Sequence, residues 1–190
     1  SRILVERSRV DDFLAAMQTT VNDLKVGNPL DEATQMGPLI SSSHRETVAS
    51  FVPEDAPVAF RGSVPDGPGF WFAPTVLSPV SNEDRAAREE IFGPVACVIP
   101  FDDEAEAIRI ANDTEYGLSG SIWTGNGSRA LRVARAIDTG VLSINSNSSV
   151  RVTTPFGGFK QSGVGRELGP DALDHYTEVK NVFYSTEEEG

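Results

Sequence analysis

One cysteine, two histidines and no long apolar run set the first limits on this 190-residue chain. A single Cys97 excludes an internal disulfide and any multi-cysteine metal site, in keeping with a reducing compartment. His44 and His175 stand far apart with no ligand spacing around them, so a zinc or copper site is not expected. No stretch approaches the roughly 20 apolar residues that cross a bilayer, and no charged start with an apolar run and a small-residue cleavage site marks a leader. The expectation is a soluble, cytoplasmic protein without a membrane partner. Positive charge is scarce too: 16 Lys and Arg against 28 Asp and Glu leave a formal charge of −12. That field repels nucleic acid and anionic surfaces, so neither is an expected partner.

What is present suits a globular fold, with 39 % apolar residues in a length that fits one domain or one domain with a small appendage. Ser1 to Glu6 reads as a strand, and Val10, Phe13, Leu14, Met17, Val21 and Leu24 line one face of a helix that Ser8 can cap. Gly27, Asn28 and Pro29 end it, and a polar loop leads to a shorter helix from Ser43 to Phe51. Two extended pieces follow, Val58 to Arg61 and Phe70 to Val80, separated by a Gly/Pro turn region. From position 95 the order is regular: VACVIPF as strand, Asp103 to Ala111 as helix, LSGSIWT as strand, Ser128 to Ile137 as helix, GVLSIN as strand. That alternation predicts an α/β fold with parallel pairing through crossovers. Ala130, Val133, Ala134 and Ile137 form the buried stripe of the second helix, while Arg129, Arg132 and Arg135 form a solvated face.

Ser146 to Gly169 has many Gly, Ser and Thr and little periodicity, the kind of long irregular stretch that carries function or is disordered. Pro170 to Tyr176 reads as a helical turn and Thr177 to Ser185 as a strand. With no obvious partner next to it in sequence, that strand either pairs with another chain or completes the chain's own sheet. The tail Glu187–Gly190 is expected to fray.

Four segments, in order, together resemble the aldehyde dehydrogenase superfamily: GNPLDEATQMGPLI at 27–40, REEIFGPV at 88–95, YGLSGSIWT at 116–124, and PFGGFKQSGVGRELG at 155–169 followed by YTEVK. The set covers nearly the whole chain. The resemblance implies a Rossmann-like, parallel-sheet catalytic domain, partial here, over 1–176, with a C-terminal oligomerisation strand and tail over 177–190. It also implies oxidation of an aldehyde to a carboxylic acid with NAD or NADP. In the family a cysteine thiolate attacks the aldehyde, hydride passes to the nicotinamide, and a glutamate helps hydrolyse the thioester. The family's nucleophile sits a few residues before the Ser-Arg pair that opens this sequence, and its general base and phosphate-binding loops lie further upstream. The 190-residue chain alone is therefore expected to be inactive. Cys97, mid-strand in an apolar run, is read as core and not as a substitute nucleophile.

Residue by residue, the resemblance assigns Glu90 to the nicotinamide ribose hydroxyls, which need an ionised acceptor, and Phe92 to the side of the nicotinamide. Without it, Glu89 and Glu90 would read as surface charges and Phe92 as core. Phe156 matches an aromatic flanking the aldehyde tunnel, after a polar loop, NSNSSVRVTT, that leans toward a small polar or amino-aldehyde. Glu167 matches a charge-relay glutamate, the alternative being a salt bridge with Arg166 or with another subunit's arginine. The backbone carbonyls of Lys160 and Gly163 match a structural monovalent-cation site. Arg166 and Glu178 match a charge network near the subunit interface of tetrameric members, so self-association as a dimer or tetramer is expected. His44 falls near a family position that can reach the cofactor ribose, but a lone histidine at a polar helix start reads as exposed. The other class of function is a non-catalytic module that binds itself or a partner through Thr177 to Ser185 and apolar surface.

Overall fold

The computed structural model describes residues 1–186, and contacts divide the chain after Thr114. The first unit is built on a four-stranded sheet ordered β1 (Arg2–Glu6), β4 (Val95–Phe101), β3 (Thr75–Leu77) and β2 (Val58–Arg61). β4 runs parallel to both β1 and β3, with Arg2 opposite Cys97 and Glu6 opposite Phe101, and β2 closes the other edge antiparallel. β4 alternates as a strand covered on both faces must. Val95, Cys97 and Ile99 face one apolar cluster, with Leu77 from β3. Val98 faces the other, with Val5 and Val76.

Each face has its own helical cover. α1 (Val10–Asn22) lays Val10, Phe13, Leu14 and Met17 on the Val98 side, the stripe its apolar spacing predicts. α2 (Ser42–Ala49), α3 (Arg85–Arg88) and α4 (Glu104–Asn112) supply Val48, Ala87 and Ile110 to the Cys97 side, with Phe51 and Ile91 from the segments that follow α2 and α3. Cys97 is fully buried and its thiol donates to Ala86 O at 3.3 Å. Burial pushes that thiol's pKa up, away from the thiolate a nucleophile needs.

Ser8 does not cap α1. It lies in a 3-10 turn, Arg7–Arg9, and its hydroxyl donates to Glu6, while Asp11 and Asp12 complement the dipole in the first helical turn. The extra turn moves the true helix start past the reach of Ser8. Of Phe70 to Val80, only Thr75–Leu77 pairs as a strand.

The second unit, from Glu115, has smaller sheets. β6 (Ser119–Ile122) and β7 (Val141–Ile144) pair in parallel through α5 (Gly127–Ala136), the crossover the sequence pattern predicts. Asn126 caps α5 by accepting from Arg129 N at 3.0 Å, and Ala130 is buried on its inner face. β5 (Tyr116–Gly117) pairs antiparallel with β8 (Phe159–Lys160), a two-residue strand within the irregular stretch. A 3-10 segment, Pro170–Tyr176, follows.

The strand expected over Thr177 to Ser185 is not formed within the chain: residues 177–186 lie outside helix and strand. The sequence has strand-like alternation there, but no ladder row among the described residues meets its backbone. The reading that it completes the chain's own sheet is therefore not supported. The tail at 187–190 lies outside the described residues.

Candidate functional site

In the first unit, the residues after α3 form a ledge. Glu90 is exposed, Ile91 is buried at 3 % and Phe92 is exposed again at 76 %, so one anchored side chain turns its two neighbours outward. Glu89 is held by Arg85 at 3.2 Å, while Glu90 is an exposed carboxylate two positions before the exposed ring. Phe92 has φ of 54°, a left-handed conformation that costs a residue with a Cβ about 1 kcal/mol or more. Gly93 packs directly on α2: a Cβ there would stand 2.6 Å from a Val48 methyl, so only glycine allows this approach.

His44 is not simply exposed. It is partly buried at the start of α2, where Ser41 accepts from its backbone N–H at 3.1 Å, and its Nε2 lies 2.9 Å from the carbonyl oxygen of Phe92. A lone His in a polar stretch carries no sequence signal of this contact, because the partner lies on a segment 48 positions away.

In the second unit, Phe156 and Glu167 are brought together. Their backbones exchange two hydrogen bonds, each 2.7 Å, as an isolated antiparallel bridge. Directly opposed residues of such a pair share one side. Both line a cleft of about 360 Å³ with Arg166, His175 and Tyr176. The Arg166 guanidinium donates to the carbonyls of Gly158 at 3.0 Å and Gly165 at 2.6 Å, and its backbone N–H donates to His175 Nε2 at 3.3 Å. No ion pair joins Arg166 to Glu167 or to Glu178 among the described residues; the backbone carbonyls take the guanidinium instead. His175 and Tyr176 enter the cleft through the fold of the 3-10 segment, which their sequence did not foretell.

Lys160 and Gly163 lie in one turn, where Gly163 N donates to the Lys160 carbonyl at a long 3.4 Å. The Lys160 ammonium stands 3.7 Å from Asp138. No group of three or more His, Cys, Asp or Glu that could hold a metal occurs among the described residues.

A mainly parallel sheet covered on both faces, with an exposed carboxylate and an exposed aromatic in the turn that leads into β4, is an α/β architecture. The aldehyde dehydrogenase family model matches residues 1–182, and the chain belongs to that family. It is 44 % identical over 190 residues to a betaine aldehyde dehydrogenase of Sinorhizobium fredii, covering 96 % of this chain and 39 % of that protein. Among solved structures, betaine aldehyde dehydrogenase of Staphylococcus aureus in complex with NAD+ superposes with a TM-score of 0.86 at 38 % identity, over 97 % of this chain and 41 % of that one. An aldehyde dehydrogenase of Mycobacterium tuberculosis complexed with NAD+ gives 0.86 at 44 % identity, over 93 % and 38 %. The chain thus spans about 39 % of the length of the curated relative it matches.

Proposed function

We propose that this chain supplies the nicotinamide-side ledge and part of the aldehyde-side wall of an NAD(P)-dependent aldehyde dehydrogenase. The observation that carries the reading is the Glu90–Ile91–Phe92 alternation, in which a buried isoleucine stands between an exposed carboxylate and an exposed aromatic ring. An outward carboxylate can accept from both hydroxyls of a ribose, and a ring can pack against a flat heterocycle. These residues fit the nicotinamide riboside end of NAD or NADP, and that cofactor, when bound, supplies the hydride acceptor. The chain's own contributions are to bind the ribose at Glu90, to limit nicotinamide tilt at Phe92, and to flank the aldehyde at Phe156. Glu167, bridged to Phe156, is suited to carry a proton at the same cleft. The carbonyls of Lys160 and Gly163 are candidate ligands of a structural monovalent cation.

The nucleophilic cysteine and the general base belong to residues other than those of this chain, and aldehyde oxidation goes through a thioester on that cysteine. The polar stretch before Phe156, together with relatives named for betaine aldehyde, favours a small polar aldehyde as substrate. The test is reduction of NAD+ by betaine aldehyde, followed by absorbance. The 190-residue polypeptide alone gives no turnover; fused behind the corresponding upstream segment of the Sinorhizobium fredii relative, it restores turnover. In that fusion Glu90→Gln raises KM for NAD+ by about tenfold or more, the loss of one charge-assisted hydrogen bond. Turnover by the 190-residue polypeptide itself, or an unchanged KM in Glu90→Gln, overturns the reading.

Self-association is the second reading, and a specific observation favours it. Val179, Val182, Phe183 and Tyr184 are all exposed on a segment with no ladder partner among the described residues. Such a segment is suited to add as a strand to a second copy, with Arg166 and Glu178 near the seam. Light scattering at micromolar concentration is expected to give at least a dimer, reduced to a monomer by Val182→Lys with Tyr184→Lys; a monomer without substitution refutes it.

A further inference from the structure

The His44 imidazole and the Val48 side chain lie one turn apart on α2, and both meet the Phe92–Gly93 peptide: His44 Nε2 at 2.9 Å from the Phe92 carbonyl oxygen, Val48 against Gly93. Residues four apart share a helix face, so the two act as one grip. The grip is rigid because Ser41 caps α2 on the His44 backbone and Val48 is fully buried. What it holds is a residue in a conformation that a free chain avoids, Phe92 at φ 54°. A carbonyl oxygen only accepts, so the contact requires hydrogen on Nε2, which in a neutral imidazole is the tautomer with a bare Nδ1. Nδ1 is buried without a protein partner, so no competing hydrogen bond draws the ring to the other tautomer.

We propose that His44 is a positioning residue for the cofactor ledge: by donating from Nε2 to the Phe92 carbonyl it holds the left-handed Phe92 backbone and so the direction in which the exposed Phe92 ring projects from the segment that carries Glu90. This rests on the reading of Glu90 and Phe92 as the nicotinamide-side residues. The role is distinct from contact with the cofactor, since the imidazole nitrogen that faces the ledge is spent on the backbone. A glutamine can donate from a similar place, whereas a leucine of similar bulk cannot.

The experiment is NMR on the 190-residue chain, its His44→Gln and its His44→Leu variants, with nicotinamide mononucleotide as the probe. Imidazole nitrogen shifts are expected to report the Nε2–H tautomer for His44. Phe92 and Gly93 are expected to give one amide signal each in the unsubstituted chain and in His44→Gln. In His44→Leu those signals split or broaden while that of Val98, in the core, does not move, which separates a local release from failure to fold. The mononucleotide is expected to shift Glu90 and Phe92 and to bind about tenfold more weakly to His44→Leu, the fold-change of one lost hydrogen bond. The Nδ1–H tautomer, or unaltered Phe92 and Gly93 signals in His44→Leu, overturns the proposal. Equal affinity for the unsubstituted chain and His44→Leu also overturns it while leaving the ledge reading intact. No shift of Glu90 or Phe92 in any of the three chains removes the ledge reading and the positioning role with it.

Discussion

The two units hold themselves together by different means. In the first, a four-stranded sheet is covered on both faces, and it contains all the buried apolar residues among those described except Ala130 and Val141. In the second, two small sheets and a long irregular stretch depend on backbone hydrogen bonds and on close backbone approach at glycines. The Phe156–Glu167 bridge and the Arg166 guanidinium on two carbonyls belong to this second kind. The lesson is that the ledge residues stand on packed apolar side chains, whereas the cleft residues stand on backbone geometry.

Side-chain truncation should therefore damage the first unit most. Leu77, buried at 2 % on β3 in one apolar cluster with Val48 of α2 and Cys97 of β4, is a severe test: Leu77→Ala is expected to cost about 2–5 kcal/mol, the transfer term plus the cavity. A urea titration followed by tryptophan fluorescence and circular dichroism measures it, and a shift within error would mean that the sheet's core is not what holds the unit.

In the second unit the damaging change is addition of an atom. A Cβ on Gly140 would collide with the Gly157 carbonyl oxygen, and the Gly158 backbone leaves no room to retreat. Gly140→Ala is expected to destabilise by about 3 kcal/mol, at the upper end for overpacking. It should disturb the amide signals of Phe156 to Lys160 while sparing those of β4. Neutral behaviour would show that the irregular stretch is not braced by that approach.

The smallest effect tests an ion network of the first unit. Arg2 donates to Asn82 at 2.8 Å and to the Ile110 and Ala111 carbonyls at the end of α4, and Arg88 meets the Asp113 carboxylate at 3.0 Å. Its hydrogen bond and charge hold the Asp113 carboxyl below the ordinary range, with Asn82 adding a further hydrogen bond. Because the folded pKa is lowered, this contribution is complete above the unfolded value of about 4 and fades as pH falls through the folded one. Asp113→Asn should therefore lower the melting temperature slightly at pH 7 and converge with the unsubstituted chain in the acid range. A difference that grows on acidification would reverse the sign and remove the argument. The group is exposed enough that the effect at neutral pH is small.

How far the residues alone could be read differs between the same two units. Apolar spacing at Val10, Phe13, Leu14 and Met17, alternation in VACVIPF and the β6–α5–β7 crossover were legible because each follows from local periodicity. So was the burial of Cys97. Ser8 was misread as a cap because a 3-10 turn and a helix start look alike over three polar residues. For Thr177 to Ser185 the residues leave two alternatives, pairing with another chain or completing the chain's own sheet, because alternation reports a preference and not a partner; no strand of the chain's own pairs with it among the described residues.

The site divides in the same way. Glu90, Phe92, Phe156 and Glu167 were named from their motifs, but the motifs say nothing of how each is held. The His44 contact with the Phe92 carbonyl and the entry of His175 and Tyr176 into the cleft beside Leu118 and Phe156 depend on pairs far apart in sequence.

The sequence by itself determined the family, the alternation of strands and helices, and the acidic balance, because motif identity, periodicity and charge are properties of neighbouring residues. Only the tertiary structure decided that Ile91 is an anchor between two outward side chains, that α2 grips the turn behind them, and that Phe156 faces the same cleft as Glu167. Those facts are distances between segments that local propensity does not encode.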